Sequence, residues 1–171
     1  SSVTGVQTCA LPIYLINLGI TDEFFGLTLD VHTTVSIINE LYPEQQHSLN
    51  RFRLDGKITV HVLTGEEQFS LMGPEYPRGL SLEDRSVIFI AKKLGDALVL
   101  SSDKLLRRHA GKLSIEYHGM IWILDQLVAE ELVAIPDAIA KIKAWMNSNV
   151  IYRDNPEIKL EVEKRLKDWS A

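Results

Sequence analysis

Cysteine occurs once in the 171 residues, as Cys9, which excludes an internal disulfide framework and any multi-cysteine zinc site. A reducing, cytoplasmic setting is therefore expected. The ten glycines include no G-x-G pair, so a dinucleotide fingerprint and a kinase phosphate loop are both absent. A G-x-S-x-G elbow, an H-E-x-x-H helix and a Walker lysine are missing as well. No apolar run approaches the ~18 residues of a membrane span, so no membrane role is expected. The formal charge of -5 lacks the basic excess of proteins that bind nucleic acid without sequence preference. What remains is 46% apolar and 24% charged, the composition of one globular domain.

Charge is also missing from the start of the chain, where the first charged side chain is Asp22. A secretory signal needs a basic start and an unbroken apolar stretch, and Thr4, Gln7 and Thr8 interrupt this one. Residues 3–13, VTGVQTCALPI, resemble instead the translation of a widely used sequencing adapter. On that reading residues 1–13 are an artefactual segment, Cys9 is not native, and the domain proper is 14–171.

From Tyr14 onward short β-leaning runs alternate with helical patterns. Strands are expected at 31–33, 58–63, 97–100 and 114–117, and helices at 22–29, 34–41, 43–54, 82–94, 104–113 and 120–132. Residues 14–18 suit a strand end or a helix start. Residues 64–79, with three glycines and two prolines, read as a loop with at most one helical turn. Two further helices, over about 136–171, open at Pro136 and at Asn155-Pro156. The alternation predicts an α/β domain with a mainly parallel sheet flanked by helices.

The five histidines are scattered, and no two lie three or four residues apart. Carboxylates are more informative, because ligands of parallel sheets bind beyond the carboxyl ends of the strands. Glu40 falls on the helix after the 31–33 strand, Asp84 opens the helix 82–94, and Asp103 follows the strand 97–100. Capping and the helix dipole explain Asp84 and Asp103 singly, and solvation explains Glu40. Converging at one edge, the three would repel one another unless a cation intervened, and hard oxygen donors suit Mg²⁺ or Mn²⁺.

The stretch 80–110, LSLEDRSVIFIAKKLGDALVLSSDKLLRRHA, resembles the PIN-domain ribonuclease family, many of whose members are toxins of toxin–antitoxin pairs. IINEL around Glu40 and IEYHGMIWILDQLV at 115–128 fit the same pattern. The resemblance implies a PIN-like three-layer fold and a metal-dependent ribonuclease. It makes Glu40, Asp84 and Asp103 catalytic metal ligands for Mg²⁺ or Mn²⁺, with Ser101 in support. It also implies a first acid on the first strand, which the spacing to Leu15-Ile16 puts at Leu11, so that activity is impaired here. Ser102 stands where many relatives carry a further acid.

Lys104, Arg107 and Arg108 follow Asp103 and suit RNA phosphates, or a solvated basic face. Trp122, Trp145 and Trp169 sit among apolar neighbours, as packing residues do. The candidate partners are RNA, an antitoxin protein and a second copy of the chain. The alternative function is a non-catalytic PIN-like module that binds RNA or protein.

Overall fold

A computed structural model describes residues 3–7 and 10–171, with side chains from Leu11 onward. The elements follow in the order β1 (Val3–Gln7), α1 (Ala10–Asn17), α2 (Thr21–Phe25), β2 (Leu29–Thr34), α3 (Val35–Asn39), α4 (Pro43–Leu54), β3 (Ile58–His61) and α5 (Gly65–Ser70). The second half adds α6 (Leu82–Leu94), β4 (Ala97–Leu100), α7 (Lys104–Lys112), β5 (Tyr117–His118), α8 (Met120–Ala129), α9 (Ile135–Asn147), α10 (Val150–Arg153) and α11 (Pro156–Trp169).

The strands form one sheet in the order β3-β2-β1-β4-β5, and every pairing is parallel. Strand alternation sends side chains to opposite faces, and β4 shows the result. Leu98 and Leu100 enter a core shared with α1, α4, α8, α9 and α11, while Val99 enters a second core beneath α6 and α7. Helices on both faces make the three-layer α/β arrangement that the alternation predicted.

Local chemistry sets most boundaries. α6 starts where Ser81 accepts the Asp84 N–H at 3.1 Å and stops at Gly95, whose φ of 74° suits glycine. α5 is a full short helix within the expected loop, because Thr64 and Glu67 form a reciprocal capping box. Arg85 holds the rest of that loop by donating to the carbonyls of Leu71, Pro77 and Leu80.

One expectation changes, and the segment read as artefactual takes a place in the sheet. The segment set aside as foreign supplies β1, the central strand, paired with β2 and β4; Cys9 lies outside the described residues. The strand expected at 114–117 shrinks to Tyr117–His118, because Ser114 has a φ of 58° and breaks the extended run.

Candidate metal and RNA site

All five strands point the same way, so their carboxyl ends make one rim: β2 ends at Thr34, β4 at Leu100, and β1 at Gln7, in register with Leu100. Thr34 caps α3, its Oγ1 accepting the Ile37 N–H at 3.3 Å. The same oxygen lies 2.8 Å from Ser86 Oγ, with both residues buried. Because the Ser86 hydroxyl donates to the Glu83 carbonyl at 2.5 Å, Thr34 donates to Ser86. This hydroxyl chain joins the start of α3 to the first turns of α6, and so sets Glu40, the exposed C-cap of α3, in the field of Asp84.

Asp84 is half-buried, and its Oδ1 is buried with no hydrogen-bond partner among the described residues. Its carboxyl is pushed up to about 6, first by burial and then by the negative charge of Asp103, with Ser81 opposing and with Glu40 and Glu83 adding to the rise. The three acids singled out by the sequence therefore share one electrostatic neighbourhood. Among the described residues, no three His, Cys, Asp or Glu side chains form a ready-made coordination set.

Asp103 lies across the rim at the start of α7. Its Oδ1 accepts the Leu106 N–H at 2.8 Å, and its own N–H donates to Ser101 Oγ at 3.0 Å. Ser101 is fully buried, and its N–H donates to the His118 carbonyl at 2.8 Å. Ser101 thus ties β4 to β5 and fixes the backbone that presents Asp103.

Leu11 does not fill the place of a first acid. It lies on α1, past the end of β1, and is 0% exposed in the apolar core. The inferred spacing failed because α1 starts at Ala10, before Leu11, and that side chain packs inward rather than at the rim.

The basic residues share a cleft with the acid. Asp103, Lys104, Arg107 and Arg108 line a cavity of about 700 Å³ whose wall also includes Tyr152 and Asn155. Lys104 and Arg108 are exposed; Arg107 is half-buried, with its guanidinium 5.1 Å from the centre of the Tyr117 ring.

Several participants were not found from sequence. Tyr152 donates no recognisable motif, yet it meets Tyr14 Oη at 3.1 Å and stacks on Trp145; burial and then Tyr14 push its hydroxyl well above the usual range. His32 and His61, far apart in the chain, meet at 2.8 Å, with Asp30 at 3.0 Å from the other His32 nitrogen. Burial, then His32 and Lys93, lower His61 below the ordinary histidine range. Only the β2–β3 register could have revealed that pair. Trp145 packs in the core as expected, while Trp122 stacks on His118 with centroids 4.4 Å apart.

No curated protein matches the chain. The model of the DUF3368 family, described as a PIN domain, matches residues 9–165, and PIN domains generally use divalent cations. That match spans the three acids, the basic helix and every strand of the sheet but β1, and the chain belongs to the PIN-domain family.

Proposed function

We propose that this PIN domain is built to hydrolyse RNA phosphodiester bonds with Mg²⁺ or Mn²⁺. The observation that carries the reading is Asp84: a half-buried carboxylate with an unpartnered oxygen, its pKa raised first by burial and then by the charge of Asp103 and Glu40. Such an arrangement is costly without a positive charge and suits a hard cation. Asp84, Asp103 and Glu40 would hold it. The bound cation supplies a Lewis acid that polarises a phosphoryl oxygen and eases loss of a water proton.

The remaining work falls to the chain's own groups. Lys104 and Arg108 neutralise phosphates along the cleft beside Asp103, which orients the strand without reading its sequence. Ser101 and the Thr34–Ser86 pair keep the carboxylates in place. Protonation of Asp84 below about pH 6 withdraws one ligand, so cation affinity falls as the pH drops through that value.

The central strand is the weak point. Residues 1–21 contain no acid at all, so β1 brings no carboxylate to the rim between β2 and β4. Activity in this chain is accordingly impaired, with the first acidic ligand lost from the adapter-like segment. The same observation favours the second reading, a PIN-like module that binds RNA or protein without cutting. An antitoxin or homodimer contact would find apolar surface at the exposed Val62, Phe69 and Met72. Among the described residues no helix is long and apolar enough to cross a membrane.

Thr8, which follows Gln7 in the sequence, is the position to test. Calorimetric Mn²⁺ titration and cleavage of a fluorescently labelled single-stranded RNA should show weak binding and little cleavage for the chain as it stands. Thr8→Asp should tighten Mn²⁺ binding by about tenfold or more and raise cleavage, and Glu40→Gln in that background should reverse both. Unchanged binding and cleavage in both variants would contradict the hydrolytic reading.

A further inference from the structure

Residues 101–103 form neither helix nor strand, yet they carry Asp103 to the rim, so whatever holds this short segment holds the acid. Ser101 supplies one hold. Its N–H donates to the His118 carbonyl at 2.8 Å, and its Oγ accepts the Asp103 N–H at 3.0 Å. One hold fixes a point and leaves the segment able to pivot about it. Asp103 tolerates little pivoting, because its Oδ1 accepts the Leu106 N–H at 2.8 Å and only Oδ2 is left to face a cation.

Ser102 supplies a second hold, because its side chain is hydrogen-bonded to the hydroxyl of Tyr152 on α10. Tyr152 is itself pinned at both ends. Its ring stacks on Trp145 of α9 with centroids 4.8 Å apart, and its hydroxyl meets Tyr14 Oη of α1 at 3.1 Å. Trp145 is buried in the core, so the platform beneath the tyrosine ring is rigid. The Gly119 backbone also closes on the segment: a Cβ there would meet the Ser101 carbonyl at 3.3 Å and Ser102 Oγ at 3.5 Å. Tyr152 and Asp103 line the same cavity, and the Asp103 charge acts on the tyrosine hydroxyl.

We propose that Tyr152 is a positioning residue for the cation site, its hydroxyl seating Ser102 and, through it, the carboxylate of Asp103; the role rests on the hydrolytic reading above. Groups that orient a ligand carboxylate from behind typically change metal affinity by ~10–100-fold when lost. Tyr152 acts one residue further back, so a smaller effect is expected. In this role it touches neither cation nor RNA and moves no proton. The assignment gives the C-terminal helices a task at the site: α9 carries the platform, and α10 the hydroxyl that reaches the loop after β4.

Tyr152→Phe deletes the hydroxyl and keeps the ring on Trp145. Ser102→Ala deletes the other end of the bond, while Ser102→Thr keeps a hydroxyl there. Amide hydrogen exchange of the full chain in EDTA, read at the Leu106 N–H, reports the seating of Asp103 without any metal. The Ile37 N–H, capped by Thr34 on α3, is the reference for general loosening. Tyr152→Phe and Ser102→Ala should each speed Leu106 exchange by about threefold or more, with Ile37 unchanged. Ser102→Thr should leave the rate as it is, and the double variant should exchange no faster than either single one. Mn²⁺ titration should follow the same order, weaker by about threefold or more in the Phe and Ala variants and unaltered in Thr. Leu106 exchange unmoved by both deletions, an equal rise at Ile37, additive effects in the double variant, or Mn²⁺ bound as tightly without the hydroxyl would overturn the proposal. If the unaltered chain binds no Mn²⁺ while Leu106 responds as expected, the cation reading falls and the seating of Asp103 by Tyr152 stands.

Discussion

Asp84 shows how one carboxyl can report on a whole site. An acid whose folded pKa lies above its unfolded value opposes folding when ionised. The penalty is absent below about pH 4, grows through the interval up to about 6, and is fully present above it. In EDTA, Asp84→Asn should therefore stabilise the protein at pH 8 by about 1 kcal/mol, a reduced conversion because solvent screens the half-buried group. At pH 4 the substitution should be neutral. Urea unfolding at both values checks this, and equal effects at the two would show that ionised Asp84 carries no such penalty. Asp84 was legible in the sequence as a helix-opening acid, but its isolation was not. That depends on Asp103, which the fold alone brings near, and on an oxygen that Ser81 leaves unpaired.

Elements whose ends carry their own chemistry were the ones read correctly. α6 runs from the Ser81 cap to Gly95 and β4 covers Ala97–Leu100, as the sequence indicated. α4 likewise begins at Pro43 and ends before the Asp55-Gly56 turn, where Gly56 has a φ of 68°. Elements with weak local signals or distant partners were misplaced or missed. β5 needs its pairing with β4, and α10 is a four-residue helix whose only local signal is the Asn149 cap. At this scale Asp103 has two separable roles, cap of α7 and member of the acidic rim. Asp103→Asn retains an acceptor for the Leu106 N–H, whereas Asp103→Ala removes it, at a cost of about 1 kcal/mol. Thermal unfolding in EDTA should find Ala less stable than Asn, while both variants weaken Mn²⁺ binding. Equal stability would remove the capping role.

Across the molecule, the net charge of -5 conceals a local division, with Lys104, Arg107 and Arg108 gathered on the cavity that Asp103 also lines. Composition averages that division away; only the order Ser-Ser-Asp-Lys at 101–104 hinted at it. The central position of β1 was hidden for a different reason. A strand flanked by two parallel neighbours is fixed by β2 and β4, and its own residues, Val-Thr-Gly-Val-Gln, carry no signal of that importance. Locating the missing acid from Leu15-Ile16 placed it within the apolar core at Leu11, whereas the rim itself begins where β1 ends, at Gln7.

The proposed cation site is centred on Asp84. The thermal midpoint measured at pH 7.5 against increasing Mn²⁺ addresses it most directly, because a ligand that binds only the folded state raises that midpoint. The chain should gain roughly 2–4 °C at ~10 mM Mn²⁺, and Asp84→Asn should gain nothing. An equal rise in both proteins, or no rise in the unaltered chain, would contradict the account.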